Sequence, residues 1–390
     1  SNSFKTFLKH TAKDFHNQSV NPPVVRASTI IFKSMKDIRK TQAKAIKNPI
    51  GGHYDYGRQG TSTTYILQKI LTKLEESYHV FTTPTGFGAV FLAIFSVTRP
   101  GDEIIVADPV YSPTRILTEN FLKEFNIKTT FYDPHDLKTL EKSITKNTKL
   151  IFVENPGSNS FDFQDLGKIV SIAKKHKILT AMDNTWGTPY FLKPIKLGFD
   201  MAIVSATKYY SGHSDVMGGS LAVNKKVFPK VKAAERITGL RLGPDDAYLI
   251  TRGLRTLDVR LDRHRENAKK VAEFLSKNKK FKLLYPYKKD SYNFRMWKKY
   301  YSGASGLMGV QIKSKNVNSI RKFVNSLKLF GYGYSWGGFE SLALHQEFRE
   351  TGKRKYLKLK KDEHLVRFHI GLEDPRDLIA DIKQALKHLK

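Results

Sequence analysis

A chain of 390 residues with 40% hydrophobic and 12% aromatic content can bury a large core, so neither a disordered chain nor a small stapled scaffold describes it. There is no cysteine, which excludes disulfides, zinc–thiolate sites and a thiol nucleophile. The formal net charge is +31, but the lysines are dispersed and no arginine-rich arm, zinc finger or aromatic-interleaved motif accompanies them, so a compositional lysine bias is favoured over a nucleic-acid-binding surface.

Residues 1 to about 60 read as irregular, with Asn21 to Phe32 an extended arm entering a strand. Gly51 to Gly60 is a glycine-rich, aromatic and basic loop. It is either a surface turn or a clamp in which Tyr56 and Arg58 offer a hydroxyl and a guanidinium to an anion. Thr61 to Tyr78 places Ile66, Ile70, Leu71 and Leu74 at helical spacing. A short strand follows at Val80 to Pro84. Thr85-Gly86-Phe87-Gly88 then reads as a glycine turn before a helix from Ala89, where free N–H groups suit a phosphate. It is neither a Walker loop nor a complete dinucleotide fingerprint. The longest apolar run, Ala89 to Phe95, is too short to span a bilayer, and no signal-peptide core is evident, so a cytoplasmic protein is expected.

Strands are expected at Pro100 to Ala107, Lys128 to Tyr132, Lys149 to Glu154, Ile178 to Met182 and Met201 to Ser205. Helices are expected at Arg115 to Glu124, Leu137 to Ile144 and Phe163 to His176. This alternation specifies a mostly parallel sheet with right-handed crossovers. Tyr111, Asp183 and Lys208 each follow an apolar strand, at the sheet end where open α/β folds bind ligands. Lys208 stands out. It follows a buried strand and is flanked by the hydroxyls of Ser205 and Thr207, so a partly desolvated amine sits beside phosphate donors. That combination points to pyridoxal phosphate held as a Schiff base, with Asp183 on the pyridinium N–H and Tyr111 on the ring. An ordinary strand end with a solvated lysine is the alternative. His213 and Asp215 read as loop-positioning residues.

Beyond Leu221 the pattern becomes α+β. Helices are expected at Val227 to Ala234, over Asp245 to Lys277 as one or two, and at Ile320 to Leu327. Strands are expected at Phe281 to Tyr285, Leu307 to Ile312 and Leu365 to Ile370. Arg367 lies inside that last apolar strand and needs an anionic partner, either a structural carboxylate or a substrate one.

Asn21-Pro-Pro-Val-Val-Arg-Ala-Ser, Tyr56-Gly-Arg58, Asp183-Asn-Thr-Trp, Ala206-Thr-Lys208-Tyr, Gly212-His-Ser-Asp215, Arg252-Gly-Leu-Arg-Thr-Leu257 and Ser335-Trp336-Gly-Gly-Phe-Glu-Ser341 occur in that order. With this set the chain resembles the Cys/Met-metabolism group of fold-type I pyridoxal-phosphate enzymes over nearly its whole length. The resemblance implies an aspartate-aminotransferase-like α/β fold: a large domain with a mostly parallel seven-stranded sheet, and a smaller α+β C-terminal domain. The boundaries expected are an arm at 1–60, a cofactor domain at 61–250 and a C-terminal domain at 251–390.

It also implies roles. Lys208 carries the cofactor and acts as base. Asp183 pairs with the pyridine nitrogen and Tyr111 stacks on the ring. Gly86 and Phe87 give N–H groups to the phosphate, with Ser205 and Thr207 adding hydroxyls. Tyr56 and Arg58 complete the phosphate site of a neighbouring subunit in a homotetramer. Arg367, aided by Ser335, binds the substrate carboxylate, and Trp336 resembles a residue of the β-eliminating members. The activity expected is β-elimination of L-cystathionine to homocysteine, pyruvate and ammonia, a step of methionine biosynthesis, with no metal. Alanine racemisation is a second expectation, with Tyr111 or Tyr56 as the opposite-face proton donor. A γ-lyase or γ-synthase of the same group is the alternative, and a basic nucleic-acid-binding protein the alternative of a different class. Phe87-Gly88 departs from the group, where a small residue or methionine and then alanine more often follow the first glycine.

Overall fold

The structure, a computed structural model, describes residues 3–10, 19–286, 289, 291–346, 354–356 and 358–389. Seven strands form the larger sheet: β1 (His79–Thr83), β2 (Glu103–Ala107), β3 (Lys128–Tyr132), β4 (Thr148–Glu154), β5 (Leu179–Asp183), β6 (Met201–Ser205) and β7 (Gly219–Val223). Their order is β1-β7-β6-β5-β4-β2-β3. Only β7 runs against its neighbours, because the loop carrying Lys208 turns the chain back beside β6. The central strands are apolar runs covered on both faces, as a parallel sheet requires. Leu67, Leu71, Val204 and Ile250 fill one layer, and Ala93, Ile94, Ile203 and Val231 the other.

Four strands make the second sheet: β8 (Phe281–Leu284), β9 (Leu307–Lys313), β10 (Leu342–Gln346) and β11 (Glu363–His369), in the order β10-β11-β9-β8 and antiparallel throughout. Ala268 and Val271 of the helix Leu257–Leu275, Phe323 of Val317–Asn325 and Leu378 of Pro375–Ala385 cover one face of it. The protein is therefore α/β, with a large mixed sheet and a small antiparallel one. Among the described residues no helix is long and apolar enough to cross a membrane.

Several expected elements shift. The helix expected from Ala89 spans Gly86–Val97, because Thr85 caps it and accepts from Gly88 N at 2.9 Å. Ser112 to Glu124 passes through a π-helical turn at Leu117–Phe121. Asp245 to Lys277 resolves into two helices, Pro244–Leu254 and Leu257–Leu275. Residues before 60 are not all irregular, since Met35–Lys47 is a helix with no buried residue. The arm at 21–32 enters no strand, and its β contact is one bridge between Thr29 and Tyr56. The helix Tyr292–Tyr300 and strands β7 and β10 were not anticipated.

Candidate functional site

The parallel strands β2, β4, β5 and β6 end on one edge of the large sheet, and this edge collects the polar residues. Asp183 closes β5. Its Oδ1 accepts from Thr185 N at 2.9 Å and from Thr185 Oγ1 at 2.6 Å. Burial raises its pKa, while the Thr185 bonds and Lys208 act to lower it. Thr185 N is thereby engaged, and its Oγ1 also accepts from Ser205 N at 2.9 Å, which ties the ends of β5 and β6 together.

Lys208 lies three residues beyond β6 and is half-buried. Its Nζ donates to Ser335 Oγ at 2.6 Å and lies 5.4 Å from the centre of the Trp336 ring. Burial, with the charge of Arg367, lowers its pKa to about 8, against a smaller opposing effect of Asp183. The amine is therefore partly unprotonated near neutral pH, as a nucleophile or base needs to be. Trp336 packs on the buried Tyr209 at 5.5 Å between ring centres. Arg367, on β11, donates through Nη2 to Ser335 O at 3.2 Å. The two sheets thus meet at Lys208: one supplies the lysine, the other the loop and arginine facing it.

At the helix Gly86–Val97 the first-turn N–H groups of Gly86 and Phe87 have no intrahelical acceptor. A Cβ on Gly86 would lie 2.4 Å from Ser205 Oγ, so only glycine lets the helix start seat itself against β6. Thr207 spends its hydroxyl within its own loop, donating to Gly218 O at 3.2 Å and accepting from Gly218 N at 3.0 Å.

Tyr111 is half-exposed, and its N–H donates to Glu154 Oε2 at 2.6 Å. Glu154 closes β4 opposite Asp183. Burial and the adjacent Asp183 hold its carboxyl well above the ordinary range. The residues before Tyr111 are fastened from below. Asp108 pairs with Arg115 Nη2 at 2.6 Å and accepts from the backbone of Lys355 and Tyr356 at 2.9 and 2.8 Å. Sequence reasoning passed over Glu154, although a carboxylate ending an apolar strand is the same signal that marked Asp183.

Tyr56 and Arg58 stand elsewhere. Both are exposed, the guanidinium lies 5.7 Å from the Tyr56 ring, and Arg58 Nη1 donates to Arg236 O at 3.4 Å. Their side chains meet each other and the Arg236 carbonyl, and the Tyr56 backbone bridges to Thr29. His213 is exposed, with Nδ1 2.6 Å from Ser211 O, and Asp215 is exposed as well.

The sequence model of the family described as Cys/Met metabolism PLP-dependent enzyme matches residues 5–387. A cystathionine beta-lyase of Bordetella avium is 36% identical over 370 residues, covering 94% of this chain and 92% of that one. An L-alanine/L-glutamate racemase of Wolbachia pipientis wMel is 35% identical over 379 residues, covering 95% and 93%. The crystal structure of cystathionine gamma synthase from Xanthomonas oryzae pv. oryzae, in complex with aminoacrylate and cysteine, superposes with a TM-score of 0.89 at 28% identity, covering 100% of this chain and 98% of that one.

The residues present fit pyridoxal phosphate. A desolvated lysine amine, a recessed carboxylate with both its hydrogen bonds on one oxygen, and a glycine-fitted helix start converge at one sheet edge.

Proposed function

The chain belongs to the Cys/Met metabolism PLP-dependent enzymes, and from that premise we propose that it cleaves the Cβ–S bond of L-cystathionine, releasing homocysteine, while water converts the remaining three-carbon fragment to pyruvate and ammonia. One observation carries the reading beyond the family: Trp336 lies 5.4 Å from Lys208 Nζ, so a large apolar ring stands beside the reacting amine. The cystathionine beta-lyase of Bordetella avium, at 36% identity, supports the same choice.

Pyridoxal phosphate, when bound, supplies the electron sink for the pair released at the substrate Cα. The chain supplies the rest. Lys208 Nζ takes the Cα proton, and its lowered pKa makes it a competent base near neutral pH. It then returns a proton to the leaving sulfur. Asp183, whose Oδ1 is taken by Thr185, would use its other oxygen to hold a proton on the ring nitrogen. The N–H groups of Gly86 and Phe87, with the Ser205 hydroxyl, would hold the phosphate, and Tyr111 would cover the ring. Arg367 and Ser335 orient the substrate carboxylate so that the Cα–H bond faces Lys208. Tyr56 and Arg58 reach the phosphate of a neighbouring subunit, and the working assembly is a homotetramer with shared sites.

Product analysis with L-cystathionine tests this. Homocysteine and pyruvate are expected, and cysteine with 2-oxobutyrate would move the enzyme to the γ-cleaving members. Lys208→Ala is expected to lower turnover by on the order of a thousandfold or more. Near-normal turnover in that variant would remove Lys208 from the chemistry. The Wolbachia racemase, at 35% identity, favours alanine racemisation as a second reaction of the same site, with Tyr111 returning the proton on the opposite face. D-alanine formed from L-alanine above the enzyme-free rate is the expected outcome, and a rate equal to the blank rejects it.

A further inference from the structure

We propose that His369 is a positioning residue that staples the Tyr334–Glu340 segment over Lys208, and so sets how tightly the site holds its amino-acid substrate. His369 ends β11, two residues beyond Arg367, and is 1% exposed. Gly337 N donates to its Nε2 at 3.1 Å, and its Nδ1 is 3.0 Å from Glu340 O. An amide N–H can only donate and a carbonyl can only accept, so the two backbone partners fix a neutral ring protonated on Nδ1. Burial, with His264 at 5.2 Å between ring centres, keeps the imidazole from charging, so Nε2 stays available as an acceptor.

The stapled segment needs holding. Ser335 sits at φ +78°, a left-handed conformation that a serine keeps only when its surroundings impose it. Gly337 sits at φ +89°, and a Cβ there would lie 2.9 Å from Lys208 Cβ, so the backbone runs directly against the lysine. Between them, Trp336 leans on Tyr209, whose ring centre is 6.0 Å from that of His369. The imidazole therefore grips the segment at two points, Gly337 and Glu340, that flank the backbone beyond Trp336. Loss of the grip frees Ser335 and Trp336 while leaving Lys208 and Asp183 in place, so the effect falls on substrate holding rather than on proton transfer. This last step rests on the roles proposed above for Ser335 and Trp336.

The test compares the cofactor-loaded wild type with His369→Leu, which removes both bonds, and His369→Gln, whose amide can donate and accept. Hydrogen exchange of the peptide covering 334–340 is followed by mass spectrometry, and steady-state kinetics are measured on L-cystathionine. In His369→Leu the peptide is expected to exchange about tenfold faster and KM to rise about tenfold, with kcat within about threefold, the low end of what two lost buried hydrogen bonds cost. His369→Gln is expected to recover most of both effects. Unchanged exchange in His369→Leu, or kcat lost at constant KM, overturns the proposal. If His369→Leu does not fold, His369→Asn, too short to span both partners, replaces it with the same expected outcomes. A wild type that does not cleave cystathionine would sink the functional reading alone, because the exchange comparison still decides the staple.

Discussion

Gly86 concentrates the constraint at the phosphate end of the site. A side chain there would meet the Ser205 side chain, with Oγ at 2.4 Å and Cβ at 2.5 Å. Either the helix start withdraws or the end of β6 moves, and β6 leads directly to Lys208. Gly86→Ala is therefore expected to weaken pyridoxal-phosphate binding about tenfold or more and to cost roughly 1–3 kcal/mol of stability, the usual size of an overpacking penalty. Equilibrium dialysis and urea unfolding measure the two. Adding Ser205→Gly removes the obstructing atoms and is expected to recover stability, and a double variant no better than the single one would locate the strain elsewhere. At this scale the sequence was informative where an unusual residue type stood in an apolar context. Lys208 and Asp183 announce themselves after apolar strands. His369 occurs in the same short run as Arg367 but carries no such signal, because a buried histidine acting on backbone groups looks like core packing until the partners are in view.

The helix Ser62–Glu75 shows how an element can hold a charge problem within its own packing. Its last residue, Glu75, is fully buried, and Oε1 accepts from Tyr210 OH at 2.8 Å. Among the described residues Oε2 has no hydrogen-bond partner. Burial raises the carboxyl to about 7, against smaller lowering effects of Tyr210 and Lys193. A carboxyl whose folded pKa lies above its unfolded one contributes stability that is complete below the unfolded value and lost as pH rises through the folded value. The loss here falls between about pH 4.5 and 7. Glu75→Gln keeps an acceptor for Tyr210 and cannot ionise. The fall in unfolding free energy from pH 5 to 8 is expected to be smaller in this variant by about 1–3 kcal/mol. Parallel profiles for the two proteins would show that Glu75 ionises in the fold at its unfolded value, so that burial does not shift it. Elements were legible in proportion to the core they serve. Strand β6 stood where its apolar run placed it. The helix Met35–Lys47 did not, since it buries nothing in its own chain and leaves Met35 66% and Ile46 83% exposed, so its thin apolar stripe gave no core-facing signal. Strand β10 is short and its sequence, LALHQ, alternates too weakly to separate from a loop.

At the scale of the whole molecule, the residues before 60 divide: Leu8 is buried and Lys9 and Arg26 pair with Asp258 and Asp245, while other parts of the segment are left uncovered by their own chain. The Met35–Lys47 helix has no buried residue, Ile31 is 92% exposed, and Tyr56 and Arg58 are both exposed. Nothing in the composition of Tyr56-Gly-Arg58 marks it as half of a site completed by another subunit, and only the family resemblance gave it that role. If the phosphate site is shared, each centre takes Lys208 from one subunit and Arg58 from another. Lys208→Ala and Arg58→Ala proteins are then each defective alone, but a mixed oligomer contains centres in which both lesions fall together and centres that have neither. Unfolding the two variants together, refolding at equal concentrations and assaying cystathionine cleavage is expected to recover about one quarter of wild-type activity, the share of intact centres from random pairing. Separately refolded samples mixed afterwards, without subunit exchange, are expected to show no gain. Recovery absent from the co-refolded sample would mean that Lys208 and Arg58 serve the same chain, and that the exposed Tyr56–Arg58 surface must fold back onto its own site.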